Sequence, residues 1–264
     1  MENVKGKNIV ITGGSRGIGK AMALKFAAKG ANLSLIASNP VLLEETRKEL
    51  SEKYNVFVRA YPLDVSLQGD VSQTFERIYY DSGNVDILIN NAGVPCHEYI
   101  KNLTFDQLKL ATEVNFYGSF FTIKAVLDKM LENNSGNIIN ITSGAARINR
   151  EYTAGYAATK AALTSLSEGL YLETKHTNIN VTTVLLGPVK TQMQQDGGIL
   201  NSKYSEAIRK GSMEPEYVAE EIFKLVINPV RIATIPKSSE PITDLYSIYP
   251  EFIDKYFELV GKSK

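Results

Sequence analysis

A chain of 264 residues with 44% hydrophobic content has room for one large α/β domain with a full core. Its 29 basic and 29 acidic residues cancel, which excludes the charge footprint of a nucleic-acid or acidic-membrane binder. The single cysteine, Cys96, excludes an internal disulfide framework and fits a reducing cytosol. Met1 to Gly6 lead almost directly into a strand-like run with no apolar leader. No segment approaches the roughly 18 uninterrupted apolar residues of a spanning helix. A soluble, cytoplasmic protein without a membrane span is expected.

Short apolar runs alternate with longer helical patterns along most of the chain. Strands are predicted at Asn8–Thr12, Asn32–Ala37, Val56–Tyr61, Val85–Asn90, Gly136–Thr142, Asn180–Leu186 and Arg231–Pro236. Helices are predicted at Gly17–Lys29, Val41–Lys53, Leu67–Asp81, Thr104–Asn133, Gly155–His176 and Pro215–Asn228. That alternation predicts a parallel sheet of about seven strands, covered by helices on both faces. The strands are apolar on both sides, as a doubly covered sheet requires. No repeat, low-complexity tract or long linker divides the chain, so residues 1–264 read as a single domain.

The first turn, Thr12-Gly13-Gly14-Ser15-Arg16-Gly17-Ile18-Gly19, follows a strand and opens a helix. Glycines there let the backbone turn tightly and approach a pyrophosphate, and the helix N-terminus offers free N–H groups. The spacing is Gly-x-x-x-Gly-x-Gly, not the commoner Gly-x-Gly-x-x-Gly. The second strand ends Ile36-Ala37-Ser38-Asn39 without the carboxylate that would bind a ribose 2′-hydroxyl and repel a 2′-phosphate. Arg16 in the turn offers that phosphate a guanidinium. NADP(H) is therefore the expected cofactor, ahead of NAD(H), unless Arg16 is only a solvated turn residue.

Asp64-Val65 follows the third strand, and Asn90-Asn91-Ala92-Gly93 closes the fourth. Both lie at carboxyl ends of strands, where open α/β sheets bind ligands. Read alone, Asp64 is also an ordinary helix N-cap, and the two asparagines are also turn formers. Cys96 and His97 come next, with no second His or Cys near enough to suggest a metal pair, so no metal is expected. His97 reads as a loop residue that lines a pocket or merely spans the loop.

The helix from Thr104 has Phe116, Phe120, Ile123 and Leu127 on one face and Tyr117, Phe121 and Ala125 on another. Apolar on more than one side, it needs a second cover, and a homodimer or homotetramer would supply it. Asn115, beside Gly118, marks a place for a local kink. Further on, Tyr156 and Lys160 stand four apart on one helix face, downstream of Ser143. A fixed ammonium beside a phenol favours phenolate and lowers its pKa from about 10, making Tyr156 a general acid or base.

Taken together these residues resemble the short-chain dehydrogenase/reductase family. The match runs through Thr12, Gly13, Gly17, Gly19, Asp64, Asn90-Asn91-Ala92-Gly93, Asn115, Ser143, Tyr156 and Lys160, in order, over roughly residues 5–190. The resemblance implies a Rossmann-type doubly wound fold and a carbonyl or secondary alcohol as substrate. It implies a catalytic set of Asn115, Ser143, Tyr156 and Lys160: Tyr156 exchanging the proton, Ser143 holding the substrate oxygen, Lys160 depressing the Tyr156 pKa and Asn115 relaying protons. The cofactor set it implies includes the turn (Gly13, Ser15, Arg16, Gly17, Ile18, Gly19) and the second strand end (Ser38, Asn39). Asp64, Val65, Asn91, Ala92, Gly93, Val189 and Thr191 complete it, with Tyr156 and Lys160.

Two departures limit the likeness. The family usually shows Pro-Gly-x-Val-x-Thr after the sixth strand, whereas this chain has Leu186-Gly187-Pro188-Val189-Lys190-Thr191. Lys237 to Lys264 replaces the Asp-Gly-Gly ending of bacterial 3-oxoacyl-carrier-protein reductases, with a helix predicted at Pro250–Val260. A reductase of that kind is one alternative, and a non-catalytic dinucleotide sensor is another. Residues 191–215 match the family's variable lid, a stretch expected to lack strong structure. Met193, Ile199, Leu200, Tyr204 and Met213 are expected to give it an apolar inner side.

Overall fold

Asn8–Thr12 and Asn32–Ala37 are runs of β-branched and apolar residues without a breaker, and they form strands β1 and β2. In the computed structural model, which describes residues 4–196, 205–246, 248–253 and 255, five more strands follow. These are β3 (Val58–Pro62), β4 (Ile87–Asn90), β5 (Gly136–Ile141), β6 (Ile179–Leu186) and β7 (Ile232–Ile235). All pair in parallel, in the order β3-β2-β1-β4-β5-β6-β7. The expected seven-stranded parallel sheet is present, each strand end within two residues of its sequence reading.

Helices α1 (Gly17–Ala28), α2 (Pro40–Lys53) and α9 (Pro215–Ile227) cover one face; α3 (Gln68–Ser82), α5 (Gly118–Glu132) and α6 (Ala154–Thr174) cover the other. Strand side chains alternate between faces, so neighbouring residues feed different cores. Ile9 and Ile11 of β1 pack with Met22 and Phe26 of α1 and Ile222 of α9. Val10, between them, joins Phe75 and Ile78 of α3 and Val126 of α5. The sheet's strand order reverses between β1 and β4, which opens a crevice at the carboxyl edge.

The helix expected over Thr104–Asn133 is three pieces. α4 (Phe105–Thr112) starts with a capping box between Thr104 and Gln107, a π turn spans Glu113–Tyr117, and α5 follows. The predicted kink at Asn115 is this π turn. Both apolar faces are split: Ile123 is buried, and Phe121, Ala125 and Leu127 pack on the second core, while Phe120 of one face and Tyr117 of the other stay exposed.

The segment expected to lack structure after Thr191 carries two short helices, α7 (Gln192–Asp196) and α8 (Ser205–Gly211). Five and seven residues are too short for a helical period to register in the sequence. Residues 199, 200 and 204 lie outside the described residues. After β7, a 3₁₀ turn (Lys237–Ser239) leads into α10 (Glu240–Tyr246), which the sequence reading did not foresee. Of the predicted Pro250–Val260 helix, residues 250–253 and 255 are helical, and 256–260 lie outside the described residues. Among the described residues no helix is long and apolar enough to cross a membrane.

Candidate active site

Two cavities meet at the carboxyl edge of the sheet. The first, of about 310 Å³, runs from the turn after β1 to Lys160. The second, of about 370 Å³, continues beyond Ser143 toward α10. Tyr156 lines both, as do Ile18, Thr142, Leu186, Thr191 and Met193.

The floor of the first cavity is mostly backbone. Gly13 has φ +67°, a left-handed conformation that strains any L side chain, and a Cβ there would stand 2.9 Å from the Asn91 amide nitrogen. A Cβ on Gly19 would overlap the Gly13 carbonyl oxygen, so Gly19 serves close packing of helix on turn and does not itself line the cavity. Thr12 and Asn91 lock this turn to the end of β4. The Thr12 hydroxyl oxygen accepts from the Asn91 and Ala92 amides, both at 3.0 Å, and the Asn91 side-chain amide donates to the Thr12 carbonyl at 2.9 Å. From α2, Thr46 donates to the Ser15 carbonyl at 3.0 Å. A turn held this way offers α1's N-terminal amides to an anion. Ser15, Arg16, Gly17 and Ile18 all line it, and the Arg16 residue is exposed.

Among the other residues assigned to the cofactor, Ser38, Asp64, Val65, Asn91, Ala92 and Gly93 line the first cavity. Asp64 is not a helix cap: its carboxylate accepts from the Ser66 amide at 3.0 Å and the Ser66 hydroxyl at 2.8 Å. Asn39 points elsewhere. Its side chain accepts from the Val41 and Leu42 amides and caps α2, and the residue does not line the first cavity. Thr191 lines both cavities, and Val189 lines the second. The displaced proline is accommodated because Pro188 to Lys190 bonds as a bridge to Met213.

Ser143, Tyr156 and Lys160 converge where the cavities join. Ser143 caps a 3₁₀ turn (Gly144–Ala146), its oxygen accepting from the Ala145 amide at 3.1 Å. The same hydroxyl bonds the Tyr156 phenol. Lys160 is buried, and its ammonium donates to the Ile141 carbonyl at 3.0 Å while lying 5.9 Å from the Tyr156 ring centre. Burial pushes the Tyr156 phenol up to about 12, with the Ser143 hydroxyl pulling the other way. Burial also pushes the Lys160 ammonium down to about 8. Burial thus acts on Tyr156 against the lowering expected from its spacing to Lys160.

Asn115 lines neither cavity. Fully buried in the π turn, it clasps the Val94 peptide: its side-chain oxygen accepts from the Val94 amide at 2.8 Å, and its amide donates to the Val94 carbonyl at 3.0 Å. The same amide reaches the Thr159 hydroxyl of α6 at 3.0 Å. His97 lines the second cavity with its ring 5.2 Å from that of Tyr156. The sequence reading missed Thr142 and Leu186, whose position at the ends of β5 and β6 was the available signal. It also missed Ile148, Ile208, Ile242 and Thr243, for which the sequence held none.

The profile of the short chain dehydrogenase family matches residues 7–198. A fatty acyl-CoA reductase of Acinetobacter baylyi is 31% identical over 253 residues, covering 95% of this chain and 82% of that protein. Among solved structures, an alcohol dehydrogenase from the archaeon Thermococcus sibiricus, complexed with 5-hydroxy-NADP, is 30% identical. It has a TM-score of 0.77 and covers 87% of this chain and 95% of its own. A short chain dehydrogenase/reductase from Burkholderia phymatum in complex with NAD shares the fold, with 22% identity, a TM-score of 0.88 and 96% coverage of both chains.

Proposed function

The chain belongs to the short chain dehydrogenase family of oxidoreductases, and on that premise we propose that it interconverts a carbonyl and a secondary alcohol with NADP(H). The observation that carries this is the position of Tyr156, shared by both cavities and flanked by Ser143 and Lys160. The first cavity suits a dinucleotide, because it opens on the glycine turn at the N-terminus of α1 and is lined by Gly13, Gly17 and Gly93. Bound there, the nicotinamide supplies or accepts the hydride.

The residues of this chain handle the rest. Ser143, accepting from Ala145, donates a hydrogen bond to the substrate oxygen where charge develops. Tyr156, held protonated at neutral pH, is poised as the proton donor for reduction. Lys160 holds the ribose hydroxyls and relays the proton, and Asn115 fixes the loop around Val94 that Gly93 opens. Arg16 and Ser38 carry the preference for a 2′-phosphate, since Asn39 is committed to capping α2. The NADP-type ligand of the Thermococcus sibiricus enzyme supports this preference. The largely aliphatic second cavity, together with the acyl substrate in the name of the Acinetobacter baylyi relative, supports a moderately apolar substrate. Exposed Tyr117 and Phe120 are the surface through which we place a homo-oligomer contact, and a monomer mass by light scattering would remove it.

The test is a panel of ketones and alcohols assayed with NADPH, NADP⁺ and NADH, run with wild type and Tyr156→Phe. The variant should lose about 10²–10⁴ in kcat while NADPH still binds within about twofold. Normal turnover in Tyr156→Phe defeats the mechanism, and tighter binding of NADH than NADPH defeats the Arg16 reading.

A further inference from the structure

The second cavity is more apolar than its sequence suggests, because three of the threonines that line it, Thr142, Thr153 and Thr243, donate their hydroxyls to backbone carbonyls. Thr243 of α10 donates to the Ser239 carbonyl at 2.9 Å, Thr142 to the Val184 carbonyl at 2.8 Å, and Thr153 to the Arg150 carbonyl at 2.8 Å. The Gln194 amide likewise donates to the Ser212 hydroxyl at 2.7 Å. Beyond the reacting end at Ser143 and Tyr156, these residues offer methyl and methylene surface. Ile148, Ile208 and Ile242 add to it.

The source of these walls in the chain matters. The family profile ends at residue 198, whereas Ile208 and α10 lie beyond it. α10 follows the 3₁₀ turn that leaves β7, and the Thr243–Ser239 bond ties its first turn to that turn. Ile242, half-buried, is therefore presented to the cavity from a fixed edge of the sheet and not from a free tail.

We propose that Ile242 is the size-determining residue for an unbranched apolar arm on the substrate, the arm lying along this aliphatic wall with its carbonyl at Ser143 and Tyr156. The proposal deepens the carbonyl-reductase reading and rests on it for the orientation of the arm. Each methylene the wall buries is worth about fourfold in affinity, so the wall's length sets a cut-off in substrate length. Shortening Ile242 extends the cut-off and enlarging it pulls the cut-off in.

The experiment uses the full chain with NADPH and alkan-2-ones of increasing length, reading binding by thermal shift and turnover separately. Wild type should bind more tightly with each added carbon up to a limit. Ile242→Ala should move that limit outward by one or two carbons, and Ile242→Trp should cost the longest ketones about tenfold or more. Both variants should bind NADPH as wild type does, because Ile242 does not line the first cavity. Superimposable length profiles in all three proteins overturn the proposal, and so does wild-type binding that never grows with length. Length-dependent binding without any turnover leaves Ile242 in its role and overturns the carbonyl-reductase reading instead.

Discussion

The two cavities share Tyr156 yet are built on opposite principles. The first rests on a glycine turn and strand ends, cross-tied by Thr12, Thr46 and Asn91, with side chains such as Leu63, Val114 and Ile141 completing it. The second draws part of its wall from late, short elements: Met193 and Gln194 of α7, Ile208 of α8, and Ile242 and Thr243 of α10. A glycine turn leaves little freedom of sequence where an added Cβ meets main chain, as at Gly19. A side-chain wall leaves a great deal, because one aliphatic residue replaces another at the cost of volume alone. One half is therefore suited to recognising a constant ligand and the other to being altered.

The harshest way to break this contrast is Gly19→Ala. One added methyl meets the Gly13 carbonyl, so the turn has to shift. Dinucleotide affinity should fall more than a hundredfold in a fluorescence titration; an unchanged Kd would mean that the cradle is softer than its packing implies. An equally small change in the second cavity, such as Ile242→Ala, should leave that Kd alone.

A subtler test sits at the seam. Lys160 is charged below about 8 in the folded protein, against an ordinary 10.5. Its folded-state pKa is depressed, so the burial penalty is fully present below pH 8 and fades as pH rises toward 10.5. Lys160→Met removes that penalty and also the bond to Ile141. The variant should be more stable at pH 7 by about 2 kcal/mol, raising Tm by about 4–8 °C. The gap should close by pH 10, and a Tm difference independent of pH would show that the charge is comfortable where it lies. Such a variant would be stabler and yet inactive, the usual signature of a group kept for chemistry.

The gentlest test is Asn39→Ala. Loss of the α2 cap should cost about 1 kcal/mol, read as a small drop in Tm. The NADPH to NADH preference should stay within about twofold. A large change in that preference would return Asn39 to the cofactor site and blur the division between cradle and scaffold.

This division also explains what the sequence could reveal. The sheet was legible almost to the residue, since each buried parallel strand is a short run dominated by apolar and β-branched residues, such as Asn8–Thr12 or Ile179–Leu186. The cradle was legible because it is local: Gly13, Arg16 and Gly17 lie within one turn. Ser143, Tyr156 and Lys160 were legible from spacing, but their electrostatics were not. Charge proximity is visible in a helix, whereas burial is a property of everything packed around it. The second cavity was not legible, because Ile148, Ile208 and Ile242 are distant in sequence and chemically ordinary. Its threonines even mislead, since nothing in the chain says that Thr243 has turned its hydroxyl toward Ser239.

The π turn at Glu113–Tyr117 makes a last point about durability. By winding one residue too wide, that helix frees Asn115 to button the Val94 loop and, through Thr159, the helix that bears Tyr156. An irregularity in a third element thus fastens two others at the very joint where fixed and variable halves of the molecule abut. Descendants of this chain could remodel the pocket beyond the joint generation after generation without loosening the rivet.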